Sequence, residues 1–320
     1  MSHASEPAVG DLEYPLGPGR AVLRDRRLVR SQKRYAALQV GVPALGTACA
    51  LILAVQQGGV SVLNITLFLV FYLLTLIGIG LGFHRLFSHR SFTPGRWTKI
   101  VLAIFGTWAA QGPILHWVSI HRRHHMSTDQ DGDPHSPNLS GIGAWGRLKG
   151  LLYAHVGAMF AAEVTSYVRF APDLLRDRDL VWINRSHAVI VLTGLALPAA
   201  IGGLLTQSLE GAWTALLWGG LVRMFAVHHA IWSVNSIGHM FGSQQFRSGD
   251  ESRNSHVLAL LSAGEGWHNN HHAFPKAAIV ATSYRQIDIC GMVVWGLEKI
   301  GLVTGVHRIP AQSKAAKRLT

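Results

Sequence analysis

The chain has 320 residues, of which 49% are hydrophobic and only 14% charged, with 29 Lys and Arg against 17 Asp and Glu for a net charge of +12. A soluble domain usually carries about 25% charged residues, so the composition excludes an ordinary water-soluble globular protein and points to a membrane protein. The basic surplus fits loops held on the cytoplasmic side and contact with anionic lipid, and calls for no nucleic acid.

Residues 1–35 read as a polar, basic N-terminal tail on the cytoplasmic side, loosened by Pro7, Pro15 and Pro18, with no apolar core of a cleaved signal peptide. Arg20, Arg24, Arg26, Arg27, Arg30, Lys33 and Arg34 crowd its second half. Apolar runs follow at about 36–55 and 60–83, separated by Gln56-Gln57-Gly58-Gly59. About 20 apolar residues cross a bilayer core, so these form a first hairpin that brings the chain back to the cytoplasm at His84. Residues 98–115 are also apolar, but Gln111, Gly112 and Pro113 interrupt them. They are expected to form an interfacial or buried helix returning to the same side, because a crossing would part His84 and His89 from His121. The run 150–162 is too short to span. A second hairpin is expected at about 188–205 and 212–231, its connecting loop holding Glu210 and no basic residue. Segments 84–185 and 233–305 would make a cytosolic helical cap, and 306–320 a basic C-terminal tail. The expected fold is all-α, with four transmembrane helices in two hairpins and a cap holding a histidine-ligated dimetal site. Arg223 falls inside the fourth span, where no Asp or Glu of any span can pair with it, and is expected to face protein or water.

Cys49 and Cys290 are too few for a disulfide framework or a thiolate site, which limits metal ligands to imidazole, carboxylate and water. His121, His124 and His125 stand at i, i+3 and i+4, on one face of a helix. The spacing recurs at His268, His271 and His272. His84 and His89 are five apart, about 140° around an α-helix, so they are expected to point different ways, and each could serve a different metal. Asn235 and His239 continue the fourth span at i and i+4. Nine imidazoles suit two metals, with water or Asn235 completing a shell. Imidazole accepts Fe, Zn, Cu or Ni, so spacing does not name the metal. His116, His155, His187, His256 and His307 read as structural, as do His228 and His229. Trp117, four residues before His121, is a candidate pocket wall.

These residues carry a resemblance. His84-Arg-Leu-Phe-Ser-His89, Trp117-Val-Ser-Ile-His121-Arg-Arg-His124-His125, Asp131-Gly-Asp-Pro-His135, Asn235-Ser-Ile-Gly-His239 and Gly264-Glu-Gly-Trp-His268-Asn-Asn-His271-His272-Ala-Phe-Pro275 resemble the membrane fatty acyl desaturases of the stearoyl-CoA, delta-9 type, in a bacterial form without a fused electron-transfer domain. The resemblance implies two iron ions held by His84, His89, His121, His124, His125, His239, His268, His271 and His272, with Asn235 holding a water. It implies O₂ as co-substrate and a cis double bond, usually at carbon 9, in an acyl chain carried as a CoA thioester. Electrons would come from a separate ferredoxin, rubredoxin or cytochrome with its reductase, at a bacterial inner membrane with both termini and the site cytoplasmic. The acyl chain would lie in an apolar tunnel bent near Trp117. Arg122, Arg123, Arg147 and Lys149 are candidate phosphate contacts, and Asp131, Asp133 and Glu265 candidate partners that orient the imidazoles. Animal relatives carry Arg-Asp where this chain has Ser119 and Ile120, which bears on the acyl carrier. Residues 276–283 also depart from the bacterial pattern. The alternatives are a membrane di-iron hydroxylase of lipids or alkanes and, from another class, a histidine-rich metal transporter, which would place its ligands at mid-membrane.

Overall fold

The computed structural model describes residues 15–319. It is mostly helical, with two small antiparallel pairings. β1 (Val22–Leu23) pairs with β3 (Val164–Thr165), and β2 (Thr93–Pro94) with β4 (Val303–Thr304).

The first helix, α1 (Arg26–Gln56), starts well before the apolar run. Asp25 caps it by accepting from the amides of Arg27 and Leu28. Arg26, Arg27, Arg30, Lys33 and Arg34 therefore ride on helix rather than on a tail, and the expected boundary at residue 35 dissolves into one rod of 31 residues. At 1.5 Å per residue it extends roughly 46 Å, beyond the ~30 Å of a bilayer core. Pro7, with the rest of residues 1–14, lies outside the described residues.

The helix over Val62–Ser88, α2, is α-helical to Ile77 and π-helical from Gly78 to Ser88. Bonding from i to i+5 draws residues five apart onto one side. This reverses the expectation for His84 and His89: the His89 amide bonds the His84 carbonyl at 3.2 Å, and their rings lie 5.1 Å apart. The π segment packs on α3 (Arg96–Thr107), which takes the place expected of an interfacial or buried helix. The backbones touch at Gly78, where a Cβ would stand 2.1 Å from the Gly106 nitrogen. Gly78→Ala is expected to destabilise the protein by about 1–3 kcal/mol through this overlap, read as earlier thermal unfolding in detergent.

The chain turns sharply at Ala110 (φ 53°) and Gly112 (φ 98°) and enters α4 (Ile114–Met126). Next come α5 (Gly143–His155), α6 (Arg178–Arg185) and α7 (His187–Thr206). The helix α8 runs without a break over 209–236, π-helical from Leu216 to Val222, and ends in a 3₁₀ turn at His239. Among the described residues three helices are long and apolar enough to cross a membrane: α1, α2 and α7. The fourth expected span falls on α8, whose Arg223, His228 and His229 dilute its apolarity, and it is not one of the three. Arg223 is fully buried in protein. Its guanidinium donates to the carbonyls of Trp108 at 2.6 Å, Gly194 at 2.8 Å and Gly219 at 3.2 Å, and to Thr75 Oγ1 at 3.3 Å. Three carbonyls, from two helices and a turn, and one hydroxyl thus take the place of the missing carboxylate.

The remaining helices are α9 (His256–Leu261), α10 (His268–Ala273), α11 (Ile289–Lys299) and α12 (Ala311–Lys317). Residues 306–319 are not a tail. The His307 amide bonds Ser91 O at 2.9 Å, and its own carbonyl accepts from Ala278 at 2.9 Å. The main buried cluster surrounds the lower π segment, with Ile79, Leu81, Phe83, Leu102 and Ala103 at its centre.

Candidate metal centre

Four segments deliver histidines to one end of the bundle. The π end of α2 supplies His84, its C-terminal cap supplies His89, and α4 supplies His121, His124 and His125. The 3₁₀ turn after α8 supplies His239, and α10 supplies His268, His271 and His272. Their nitrogens form two groups, each within 4.8 Å throughout: His84, His89, His121, His125 and His271, and then His124, His239, His268 and His272. Each three-histidine motif is split between them. In α4 the i, i+4 pair His121 and His125 enters the five-histidine group while His124 crosses to the other. In α10 the pair His268 and His272 enters the four-histidine group while His271 crosses back. The two motifs therefore interlock.

The nitrogens face each other closely. His84 Nε2 is 2.9 Å from His271 Nε2, which is 3.0 Å from His125 Nε2, and His89 Nε2 is 2.8 Å from His121 Nε2. Across the other group His239 Nε2 and His268 Nε2 are 2.9 Å apart. Nitrogens sharing a cation at roughly 2.1 Å in adjacent positions stand about 3 Å apart. Four of the rings are turned by carboxylates. His124 Nδ1 donates to both oxygens of Asp133 at 3.0 Å, His239 Nδ1 to Asp129 at 2.9 Å, and His272 Nδ1 to Asp250 at 2.8 Å. His84 Nδ1 donates to Glu265. A proton on Nδ1 leaves Nε2 a bare lone pair. The Nε2 atoms of His124 and His272 are buried with no hydrogen-bond partner. Imidazole nitrogens converging at these distances are the donor set of a cation, and the residues fit two metal ions.

For six of the nine imidazoles the electrostatics agree. Burial, helped by neighbouring imidazoles, holds His89, His121, His125, His268, His271 and His272 well below the ordinary histidine value of 6.5, so all are neutral donors. Burial pushes Asp129 and Asp133 up, but the bonds from His239 and His124 outweigh it and hold both far below the usual carboxylate range. Glu265 is likewise lowered against its burial by His84 and Arg85. Ionised carboxylates fix the Nδ1–H tautomer. Replacing Asp250 with Asn is expected to weaken metal binding about 10–100-fold, measured by chelator competition.

Not every candidate residue lies where the sequence led us to expect. Asp131 is exposed, and the role of orienting an imidazole falls instead to Asp129 and Asp250. Asp129 alternates with Asp131 and Asp133 in one turn, so spacing does not choose among them. Asp250 comes from a distant loop with no sequence mark. Arg122 is no phosphate contact: it is fully buried and donates to Asp173 through both terminal nitrogens and to the carbonyls of Phe87, Ser88 and Phe170. Arg123 is held by Gly132 O and Glu163. Arg147 and Lys149 are exposed on α5, with Arg147 stacked 5.7 Å from the Phe241 ring.

Trp117 stacks on His121, with centroids 5.1 Å apart, and donates to Gln111 Oε1 at 3.3 Å. It walls a cavity of about 130 Å³ reaching from His121 and Asn235 to Tyr35, Gln39 and Met159. A small recess of about 30 Å³ beside it is lined by Trp117, Asn235, His84, Glu265 and His268. Asn235 thus borders both groups. Outward, a wider hollow of about 480 Å³ shares Gln32, Ile120, Pro134 and Ala158 with the first cavity and is rimmed by Arg24, Arg123 and Glu163. The arrangement is a narrow passage leading from a polar mouth to the histidines.

A family model described as fatty acid desaturase matches residues 20–281. The chain is 42% identical over 290 residues, 90% of each chain, to the hex-5-enoyl-[acyl-carrier protein] acetylenase of Moorena producens. It is 36% identical over 232 residues to the sn-1 stearoyl-lipid 9-desaturase of Anabaena variabilis, covering 72% of this chain and 78% of the relative. A sn-1 stearoyl-lipid 9-desaturase of Synechocystis is 36% identical over 252 residues, covering 78% and 73% respectively.

Proposed function

Since the chain belongs to the fatty acid desaturase family, an oxidoreductase family of lipid metabolism, we propose that it inserts a cis double bond into a fatty acyl chain at a two-iron centre. The carrying observation is the division of nine histidines, eight buried and His125 partly so, into groups of five and four whose nitrogens converge beside a narrow passage. Two iron ions bound there would supply the redox chemistry in which O₂ takes two electrons from a donor and two hydrogens from the acyl chain, with two protons from solvent, to give the alkene and two waters. The chain's own residues do the rest. Asp129, Asp133, Asp250 and Glu265 aim the ligands, Asn235 holds a water at the rim of both groups, and Trp117 with Gln111 fixes the bend of the passage. The double bond is proposed at carbon 9, as two relatives' names indicate for their own substrates.

An acyl lipid or acyl-carrier-protein ester is preferred to a CoA thioester. The names of the relatives above specify carrier protein or lipid, and Arg122 has no donor left for a phosphate. We place the protein as four spans, α1, α2, α7 and α8, in a bacterial inner membrane, with both termini and the histidines cytoplasmic; the cations at the start of α1 support that orientation. The 42% identity to an acetylenase favours a second reading, a triple bond formed from an existing double bond.

Expression in a host lacking its own desaturase tests this. A new cis-monounsaturated acid, lost with His268→Ala, is the expected result. Acetylenic acids from a supplied alkene would favour the second reading and hydroxy acids a hydroxylase. Unchanged lipids with no iron in the purified protein would overturn both.

A further inference from the structure

Under the function proposed above, two electrons per double bond must reach the histidine centre from outside. One surface is tied to that centre through a single segment of chain. Asn269, between ligand candidates His268 and His271, accepts from the amides of Gln245 and Phe246 at 2.8 Å each and donates to Phe246 O at 2.9 Å. From the same segment Asp250 accepts a hydrogen bond from His272 Nδ1 at 2.8 Å. The C-terminal segment closes over this from outside. Arg247 N bonds Lys317 O at 2.8 Å, Leu319 N bonds Gln245 O at 3.0 Å, and Phe246 bridges to Arg318. Lys317 Nζ donates at 2.7 Å to the carbonyl of Ala273, the residue after His272. A single layer of chain therefore separates this surface from α10 and its three histidines.

The layer is basic. Arg247, Lys276, Lys317 and Arg318 are exposed and Lys314 partly so. Against them stand Glu251, paired with Arg253, and Asp250, turned to His272. Among the described residues Arg247, Lys276 and Arg318 have no acidic side chain within ion-pair distance. Over 244–254, 273–282 and 311–319 the one exposed large apolar side chain is Leu319, at 38%. That contrasts with α11, where Met292 is 67% and Trp295 53% exposed, the dress of a surface that meets lipid tails. Charge with little apolar area suits a brief, salt-sensitive protein encounter.

We propose that this platform, Arg247, Lys276, Lys314, Lys317 and Arg318 over α10, is the docking surface for an acidic one-electron carrier protein. Each encounter oxidises the carrier by one electron and reduces the centre by one. Two encounters supply the pair that, with the two hydrogens of the acyl chain and two solvent protons, takes O₂ to two waters.

The test uses the full chain in lipid nanodiscs and, as probe, an acidic plant-type [2Fe–2S] ferredoxin, with binding read by surface plasmon resonance. Wild-type binding is expected to weaken about tenfold or more between about 50 mM and about 500 mM salt. The double variant R247E/K276E is expected to bind about tenfold more weakly at low salt, while turnover driven by dithionite and a viologen mediator is unchanged. The variant is expected to gain binding to basic cytochrome c. R247Q/K276Q should fall between, with unchanged metal content and unfolding temperature, and decides the matter if the double Glu variant does not fold. Ferredoxin binding insensitive to salt and to both variants would overturn the proposal. So would a loss confined to binding of phosphatidylglycerol vesicles, which would make this a lipid-facing surface. Failure of dithionite-driven desaturation in wild type would instead sink the proposed reaction, whatever the binding shows.

Discussion

Replacing His239 with alanine is expected to lower bound metal from about two ions to about one per chain and to bring desaturation below detection. His239 is one of only four imidazoles in its group, and it comes alone from the end of α8. Its loss leaves His124, His268 and His272, two of them on the same short helix, with one side of the site open. It also frees Asp129, whose carboxylate would then sit partly buried against the vacancy. The five-histidine group shares no ligand with the four-histidine group and should keep its ion. Iron counted by plasma mass spectrometry, beside fatty-acid analysis of cells expressing the variant, separates the two effects. Two ions retained with full activity would refute the division into groups. Loss of both would mean that the sites fill cooperatively through the interlocked helices α4 and α10.

That division was only half legible in the sequence. The local patterns carried: apolar runs mark helices, and histidines at i, i+3 and i+4 mark two helical faces. The splitting of each triplet did not carry, because it depends on α4 and α10 packing with their i+3 positions crossed. His84 and His89 misled for a different reason. An α-helix parts residues five apart, but the stretch Gly78–Ser88 is wound as a π-helix where Gly78 and Gly106 let two backbones touch. No periodicity in Gly-Ile-Gly-Leu-Gly-Phe announces that winding. Asp129 and Asp250 escaped notice because a carboxylate becomes a histidine's partner only through the fold. Arg122 misled because a motif arginine beside ligands reads as a substrate contact until its five donors are found spent on Asp173 and three carbonyls. The C-terminal cations read as a tail since nothing in their order shows Lys317 reaching Ala273.

Arg85→Met is expected to destabilise the protein by about 3–5 kcal/mol and to empty the five-histidine site first. Arg85 lies in the π segment between the two histidines of α2 and is fully buried. Its guanidinium donates to Glu265 at 2.8 and 3.2 Å, to Asp288 at 2.9 and 3.0 Å, and to Ala278 O at 2.7 Å. Both carboxylates are themselves buried, so removing the cation strands two negative charges away from water. Each also has a second duty. Asp288 accepts from the amides of Gly291, capping α11, and of Val280. Glu265 turns the ring of His84. Arg85 therefore joins stability to metal binding: without it Glu265 loses its fixed position, and His84 its tautomer. Arg85→Lys should recover part of the loss only, since one ammonium cannot serve two carboxylates and a carbonyl in this geometry. The triple variant R85M/E265Q/D288N distinguishes the two roles. With no stranded charge it should regain much of the unfolding temperature, yet its amide at 265 holds His84 less firmly than a carboxylate does, so iron in the five-histidine group stays weak. Equal recovery of stability and metal affinity would show that Glu265 acts on fold alone.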